Sequence, residues 1–332
     1  MTRKWFGMLA VLLSVLLIVS ACGGSGQSQQ ASSGGASGPS SGDGKKTFRI
    51  GALWPTAAIA PVQSKIQATE DEGRKLGVEI ITLDAQFDPQ KQSQQALDLI
   101  TQKVDGVLID IIDPQAIVPS VKKLYEAGIP VIVTTLPIAE EGKDYLASFI
   151  GSDNVYSGRL AGELMKEALG EKGGNVVIIE GAASSIIVQE RTAGFKEALQ
   201  GSNIKILDIQ SSPWDRQKAM DIMQNFLTKY SDLQGVFVEH DSMVPGVVQA
   251  LRQAGRLDEV KIVGFGATYD GVDLMKEGLM YGSVTEDLDW QSREGVRKMV
   301  EILEGKQVDK VILGENRIIK PEDLSWYKAT NY

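Results

Sequence analysis

Val104-Asp105-Gly106-Val107-Leu108-Ile109-Asp110 and Leu233-Gln234-Gly235-Val236-Phe237-Val238-Glu239 are two copies of one pattern. In each, an apolar residue, a polar one, a glycine, three apolar residues and an acid follow in the same order. Each then leads to an Ala-Gly pair, Ala127-Gly128 or Ala254-Gly255, and to a further apolar run. Apolar runs of this length with no polar alternation read as strands buried on both faces, as in a parallel sheet covered by helices. The repetition reads as one half built twice.

Outward from these two stretches the chain alternates strand and helix. In the first half the expected strands are 48–54, 78–83, 106–111 and 130–134, with a helix at 62–76. Asp88-Pro89 opens a second helix with an Asp cap and Pro at the first helical position, where its missing N–H costs nothing. Asp113-Pro114 repeats that signal before a helix ending at Ala127-Gly128. The second half offers strands at 175–180, 205–209, 235–239 and 261–265 and helices near 188–199, 216–229, 243–254 and 290–303. The fold class is therefore α/β, two Rossmann-like lobes with parallel sheets joined by a hinge. Two such sheets facing each other set the carboxyl ends of their strands around a shared crevice, where small ligands bind.

The amino terminus has a different character. Arg3 and Lys4 precede an apolar run that ends in Val19-Ser20-Ala21-Cys22, and Cys22 is the only cysteine. This reads as a lipoprotein leader over 1–21 with Cys22 as the lipidated first residue, because the run is short of the roughly 20 residues of a spanning helix. Residues 22–46 are a Gly/Ser-rich tether that cannot bury enough apolar surface to order itself. Its typical reach is on the order of 25 to 30 Å. The expected location is the extracytoplasmic face of the cell membrane, held there by the lipid. An acylated Cys22 leaves no thiol for a disulfide or a thiolate metal site.

Charge narrows the partners. The chain carries 34 Lys and Arg against 43 Asp and Glu, a formal net charge of −9, which becomes −11 once the leader takes Arg3 and Lys4 with it. An acidic surface argues against nucleic acid. The roughly 285 residues after the tether exceed what one core usually spans, so two lobes are expected. Lobe one is 47–150 plus about 287–314, and lobe two is 151–286 plus about 315–332, with crossovers near Gly151, Glu286 and Gly314.

Catalysis is not expected. Gly264-Phe265-Gly266 is followed by Tyr269 where a dinucleotide loop needs glycine, and no phosphate-loop Gly-Lys-Ser/Thr occurs. A metal cluster or a Ser-His-Asp triad would have to use His240, the single histidine, and no motif supports either. No cofactor and no metal are expected.

Five stretches carry a family resemblance: Asp84-Ala85-Gln86-Phe87-Asp88-Pro89, Gly151-Ser152-Asp153-Asn154-Val155, Gln189-Glu190-Arg191-Thr192-Ala193-Gly194-Phe195, Met223-Gln224-Asn225-Phe226-Leu227 and Val263-Gly264-Phe265. In this order the sequence resembles the ribose-binding branch of the type I periplasmic binding proteins from about Thr47 to Lys320. The resemblance implies a monomeric, hinged receptor that closes on a sugar and hands it to an ABC transporter permease. It also implies that Arg191 is the ligand arginine and that Trp214 stacks on a sugar face. Substituting either is expected to abolish stabilisation by ligand and leave the fold intact.

The departures matter equally. The ribose binders' Asn-Pro-Phe-Phe is Ile59-Ala60-Pro61-Val62 here, and their Asp-Arg pair after the fourth strand is Thr135-Leu136. Gly266 stands for an aspartate, His240 for an asparagine and Glu286 for a glutamine. Ribose itself is therefore not the expected ligand. The candidate set is Trp54, Asp110, Thr135, Arg191, Trp214, His240, Asp241 and Glu286. Carboxylates and an imidazole in place of amides suggest a polyol, an open-chain or modified sugar, or a ligand with its own positive charge. Capture of a signal such as autoinducer-2, or docking on a membrane sensor kinase, is the alternative role.

Overall fold

The computed structural model describes residues 47–329, so the expectations for the leader, Cys22 and the tether lie outside the described residues. In chain order the elements are β1 (Arg49–Trp54), α1 (Ala60–Leu76), β2 (Glu79–Asp84), α2 (Pro89–Thr101), β3 (Gly106–Asp110), α3 (Val118–Glu126), β4 (Val131–Thr134) and β5 (Ser148–Ser152). There follow α4 (Asn154–Leu169), β6 (Gly174–Glu180), α5 (Ile186–Ala198), β7 (Ile204–Ser211), α6 (Arg216–Lys229), β8 (Leu233–Val238), α7 (Val244–Gln253), β9 (Lys261–Gly266), α8 (Tyr269–Lys276) and β10 (Gly282–Thr285). The chain closes with α9 (Leu288–Leu303), β11 (Val311–Gly314) and β12 (Ile318–Ile319).

Among the described residues these strands form two six-stranded sheets, in the orders β11-β5-β4-β3-β1-β2 and β12-β10-β9-β8-β6-β7. The pairings are parallel except that of β12 on β10. The two orders correspond strand for strand, as the repeated pattern requires. Chain crosses between the sheets at 153, at 286–287 and at 315–317.

The repeat places the same positions on equivalent faces. Val107 and Ile109 of β3 pack with α2 and α3, while Leu108 joins Val296 and Met299 of α9. In β8, Val236 and Val238 pack with α6 and α7, while Phe237 meets Leu164 and Met165 of α4. Each such side chain is fully buried, worth roughly 1.5–3 kcal/mol apiece. The shared glycine has a matching cause: a methyl group at Gly106 would overlap the sulfur of Met299, and one at Gly235 the sulfur of Met165.

Aspartates start four helices. Asp88 accepts from the Gln90 and Lys91 N–H groups ahead of α2, and Asp153, Asp215 and Asp287 cap α4, α6 and α9. Asp113 departs from expectation. It accepts from the N–H groups of Gln115 and Ala116, but this closes only a turn, and α3 begins at Val118. Pro119 has no N–H to donate to the Gln115 carbonyl, so a helix cannot run through from Pro114.

Candidate functional site

Between the sheets lies a cavity of about 840 Å³, walled by Pro55, Phe87 and Leu136 from one side and Ile186, Glu190 and Trp214 from the other. It opens over the carboxyl ends of the strands. Trp54, Asp110, Arg191, His240 and Glu286 are buried and are not among the residues that line this cavity, although Pro55, Ile111 and Glu190, chain neighbours of the first three, are.

The first sheet contributes a buried ion pair that the sequence reading missed. Lys65 of α1 is 1% exposed, and its Nζ donates to Asp110 Oδ2 and to Thr135 Oγ1, each at 2.6 Å. The same ammonium lies 5.7 Å from the Trp54 ring, whose Nε1 is buried with no acceptor among the described residues. Asp110 is held in place from behind: Gln92 of α2 donates to the Asp110 carbonyl and accepts from the Ile112 N–H. A signal for Lys65 existed in the sequence. Val62, Lys65, Thr69 and Glu72 recur at three- and four-residue spacing and form the buried stripe of α1, so a lysine occupies a core-facing position.

Thr135 joins this wall to the crossovers. Its hydroxyl donates to Gln291 Oε1 at 2.9 Å, and Gln291 Nε2 donates to Ser152 Oγ at 3.3 Å. A line of hydrogen bonds therefore runs from Asp110 to the end of β5, where the chain leaves the first sheet. Thr135 has φ +68°, and Trp214 on the opposite wall has φ +57°. A left-handed backbone costs a non-glycine residue about 1–3 kcal/mol and persists where the surroundings impose it.

The second sheet supplies Arg191, 2% exposed. Its Nη1 donates to the Glu239 carbonyl at 3.1 Å and its Nη2 to Asn154 Oδ1 at 2.9 Å, with the guanidinium 3.6 Å above the Phe265 ring. The Nε donor is buried without an acceptor among the described residues. Two glycines seat the side chain. A methyl at Gly158 of α4 would overlap the Arg191 carbonyl, and one at Gly194 of α5 would overlap the Val155 carbonyl, so the helices meet backbone to backbone. The expectation that Arg191 could be removed without harm to the fold is corrected: it is a packed, hydrogen-bonded part of this core.

His240 sits at the end of β8, and its Nδ1 accepts from the Ser242 N–H. Burial, and then the Arg191 charge, push its pKa down to about 4, so the ring is neutral near pH 7. Burial raises the Glu286 pKa, against the pull of Arg191 and then Lys65, while Asp110 pushes it further up. Glu286 therefore lies in the field of cations from both sheets. Gly266, where the ribose binders carry aspartate, has φ +114°, a backbone that a side chain there would strain.

Two expected residues stand apart from this inner group. Trp214 lies at the rim of the cavity, 42% exposed. Asp241 is corrected as a ligand contact: it is fully buried beneath the strand ends, accepting from Ser283 Oγ at both oxygens and from the Thr268 N–H. Burial raises its pKa to about 7. Glu239, which the sequence reading did not single out, lies behind Arg191 with its carboxylate on the Gly181 N–H and Thr192 Oγ1, and burial raises its pKa likewise to about 7. Among the described residues no group of His, Cys, Asp and Glu is placed to hold a metal ion, and no helix is long and apolar enough to cross a membrane.

Comparison with known proteins agrees with this architecture. The periplasmic binding protein domain matches residues 50–307. The ribose import binding protein of Salmonella typhimurium is 34% identical over 239 residues, covering 72% of this chain and 79% of that protein. A solute-binding protein of an ABC transporter from Actinobacillus succinogenes, solved with bound D-allose, shares the fold with a TM-score of 0.80 at 24% identity, over 85% of this chain and all of that one. One from Bacillus halodurans with bound myo-inositol gives a TM-score of 0.79 at 26% identity, over 86% and 98%. Two matching sheets and an inter-sheet cleft thus coincide with the sequence match, and the chain belongs to the type I periplasmic binding proteins, in the branch of the ribose-binding proteins.

Proposed function

We propose that this chain captures a small, hydroxyl-rich molecule, a sugar or polyol, between its two lobes and delivers it to an ABC importer. The observation that carries the reading is the pair of buried cations, Lys65 from the first lobe and Arg191 from the second, set around Glu286 at the carboxyl ends of the strands. Buried donors such as Arg191 Nε cost about 1–3 kcal/mol when left without an acceptor, and ligand oxygens would offset that. Relatives named for ribose import and solved neighbours holding D-allose or myo-inositol support the ligand class. The replacements at Thr135, Gly266 and Glu286 favour a ligand other than ribose.

Function follows from closure and not from chemistry on the ligand. Contacts from both lobes coexist only in the shut form, so binding shifts the population toward it. We assign the anchor to Cys22, with residues 23–46 as the tether of a monomeric receptor at the extracytoplasmic face. A thermal-shift screen over pentoses, hexoses, polyols and cyclitols tests the reading. At least one should raise the melting temperature in a concentration-dependent way, and a flat response across the screen would overturn it. Cys22→Ala should release the protein from the membrane fraction.

A further inference from the structure

We propose that Lys65 is a specificity-determining residue: its buried ammonium, docked on Asp110 and Thr135, takes the place that a ligand's own cation would fill and restricts the cleft to uncharged, hydroxyl-rich molecules. This rests on the capture function proposed above and narrows its ligand class.

Three observations converge. The Asp110 carboxylate, the natural seat for a ligand ammonium on this wall, already receives Lys65 Nζ at 2.6 Å, with the Thr135 hydroxyl as the second acceptor. The buried side-chain atoms of the inner cleft that lack a partner among the described residues, Trp54 Nε1 and Arg191 Nε, are both donors. An ammonium offers them no lone pair, whereas a hydroxyl oxygen does. An anionic ligand meets the opposite obstacle. The Asp110 carboxylate already holds the Lys65 ammonium at 2.6 Å, and Glu286 lies close enough for Asp110 to push its pKa up, so an added carboxylate would have to compete with Asp110 for that ammonium and face a like charge beside it. Asp289, a little outside, already accepts from Ser64 Oγ and pairs with Arg293, and Glu239 is engaged behind Arg191.

Lys65 also supplies, from α1, a cation at the end of β4, with Thr135 as its acceptor. Lysine Nζ carries three hydrogens, and the bonds to Asp110 and Thr135 leave one for a ligand oxygen.

The test measures wild-type binding by calorimetry to matched probes: D-glucose, D-glucosamine and D-glucuronate; D-galactose, D-galactosamine and D-galacturonate; and D-sorbitol with D-glucamine and D-gluconate, with myo-inositol and D-allose as further neutral probes. Neutral members should bind at least about tenfold more tightly than their charged counterparts. An amino or acidic member that binds as well as its neutral parent would overturn the inference while leaving sugar capture standing. Silence across the whole panel would remove the capture function and this inference with it. Lys65→Met should then weaken neutral binding and raise the affinity for the amino members by at least about tenfold, because Asp110 is freed for a ligand ammonium. The double variant Lys65→Met/Asp110→Asn, which restores a balanced and uncharged wall, should lose that gain. Unchanged selectivity in Lys65→Met, with a melting transition still cooperative, would overturn the assignment.

Discussion

Arg191 braces Asn154 and the Glu239 carbonyl with two of its nitrogens, and its Nε is buried without an acceptor among the described residues, a donor that the capture function proposed above would use. Arg191→Ala should therefore abolish stabilisation by ligand and also lower the melting temperature of the free protein, at a cost of about 3 kcal/mol, since a buried cation beside Glu239 disappears. Trp214 is half-exposed at the rim, so Trp214→Ala should weaken binding by about 1 kcal/mol with the free protein's melting unchanged. His240 adds a pH dependence. The unfolded chain takes up its proton near pH 6.5 and the folded one near 4, so between those values the unfolded state binds more protons and stability from this group falls as the pH falls. The 2.5-unit gap corresponds to about 3 kcal/mol. Glu239 and Asp241, both raised to about 7, act in the opposite sense: their contribution is full below about pH 4 and is lost as the pH rises through 7. Melting curves of wild type and His240→Asn at pH 7 and pH 4.5 isolate the histidine. The wild type should lose more stability than the variant on acidification.

At the level of elements, precision comes from the contact of α4 with α5. Gly158 and Gly194 each cost about 1 kcal/mol of helix propensity relative to alanine, and in return the backbones touch and Arg191 is set over Phe265. Gly194→Ala should lower the melting temperature by the equivalent of about 3 kcal/mol, because the new methyl meets the Val155 carbonyl and not a flexible side chain. It should also weaken ligand binding by displacing Arg191. A Gly194→Ala protein with wild-type melting would show that the helices can part without cost. The first wall depends on a hydrogen-bonded line instead, through Lys65, Thr135, Gln291 and Ser152.

For the whole molecule, that line ends at the crossover from β5 to α4, and a second set of bonds ties the other crossovers together, with the Arg317 N–H on Thr285 Oγ1 and Thr285 N–H on the Arg317 carbonyl. Rotation of the lobes about these short links should change the cleft and leave each sheet intact. Small-angle X-ray scattering with and without a bound sugar or polyol should therefore show a smaller radius of gyration in its presence. An unchanged radius on saturation would count against hinge closure.

The sequence by itself determined the alternation of strands and helices and the doubled architecture, because buried parallel strands are written as contiguous apolar runs and helix starts as Asp caps, whereas Arg191 and Trp214 were singled out only by the family resemblance. It left α4 unread, since Gly158 and Gly162 weaken the helical signal that their tight packing requires, and it left β5, α8 and the short strands β10 to β12 unread because their runs are brief. Which polar groups meet was decided only in three dimensions. Lys65 and Asp110 lie 45 residues apart, and Asp241, adjacent to His240 in the chain, points under the sheet while its neighbour stays near the cleft. His240 is extended while Asp241 opens a short 3-10 turn, so the two side chains diverge, and an ion pair forms wherever the fold brings two side chains together, so neither outcome could be read along a line of letters.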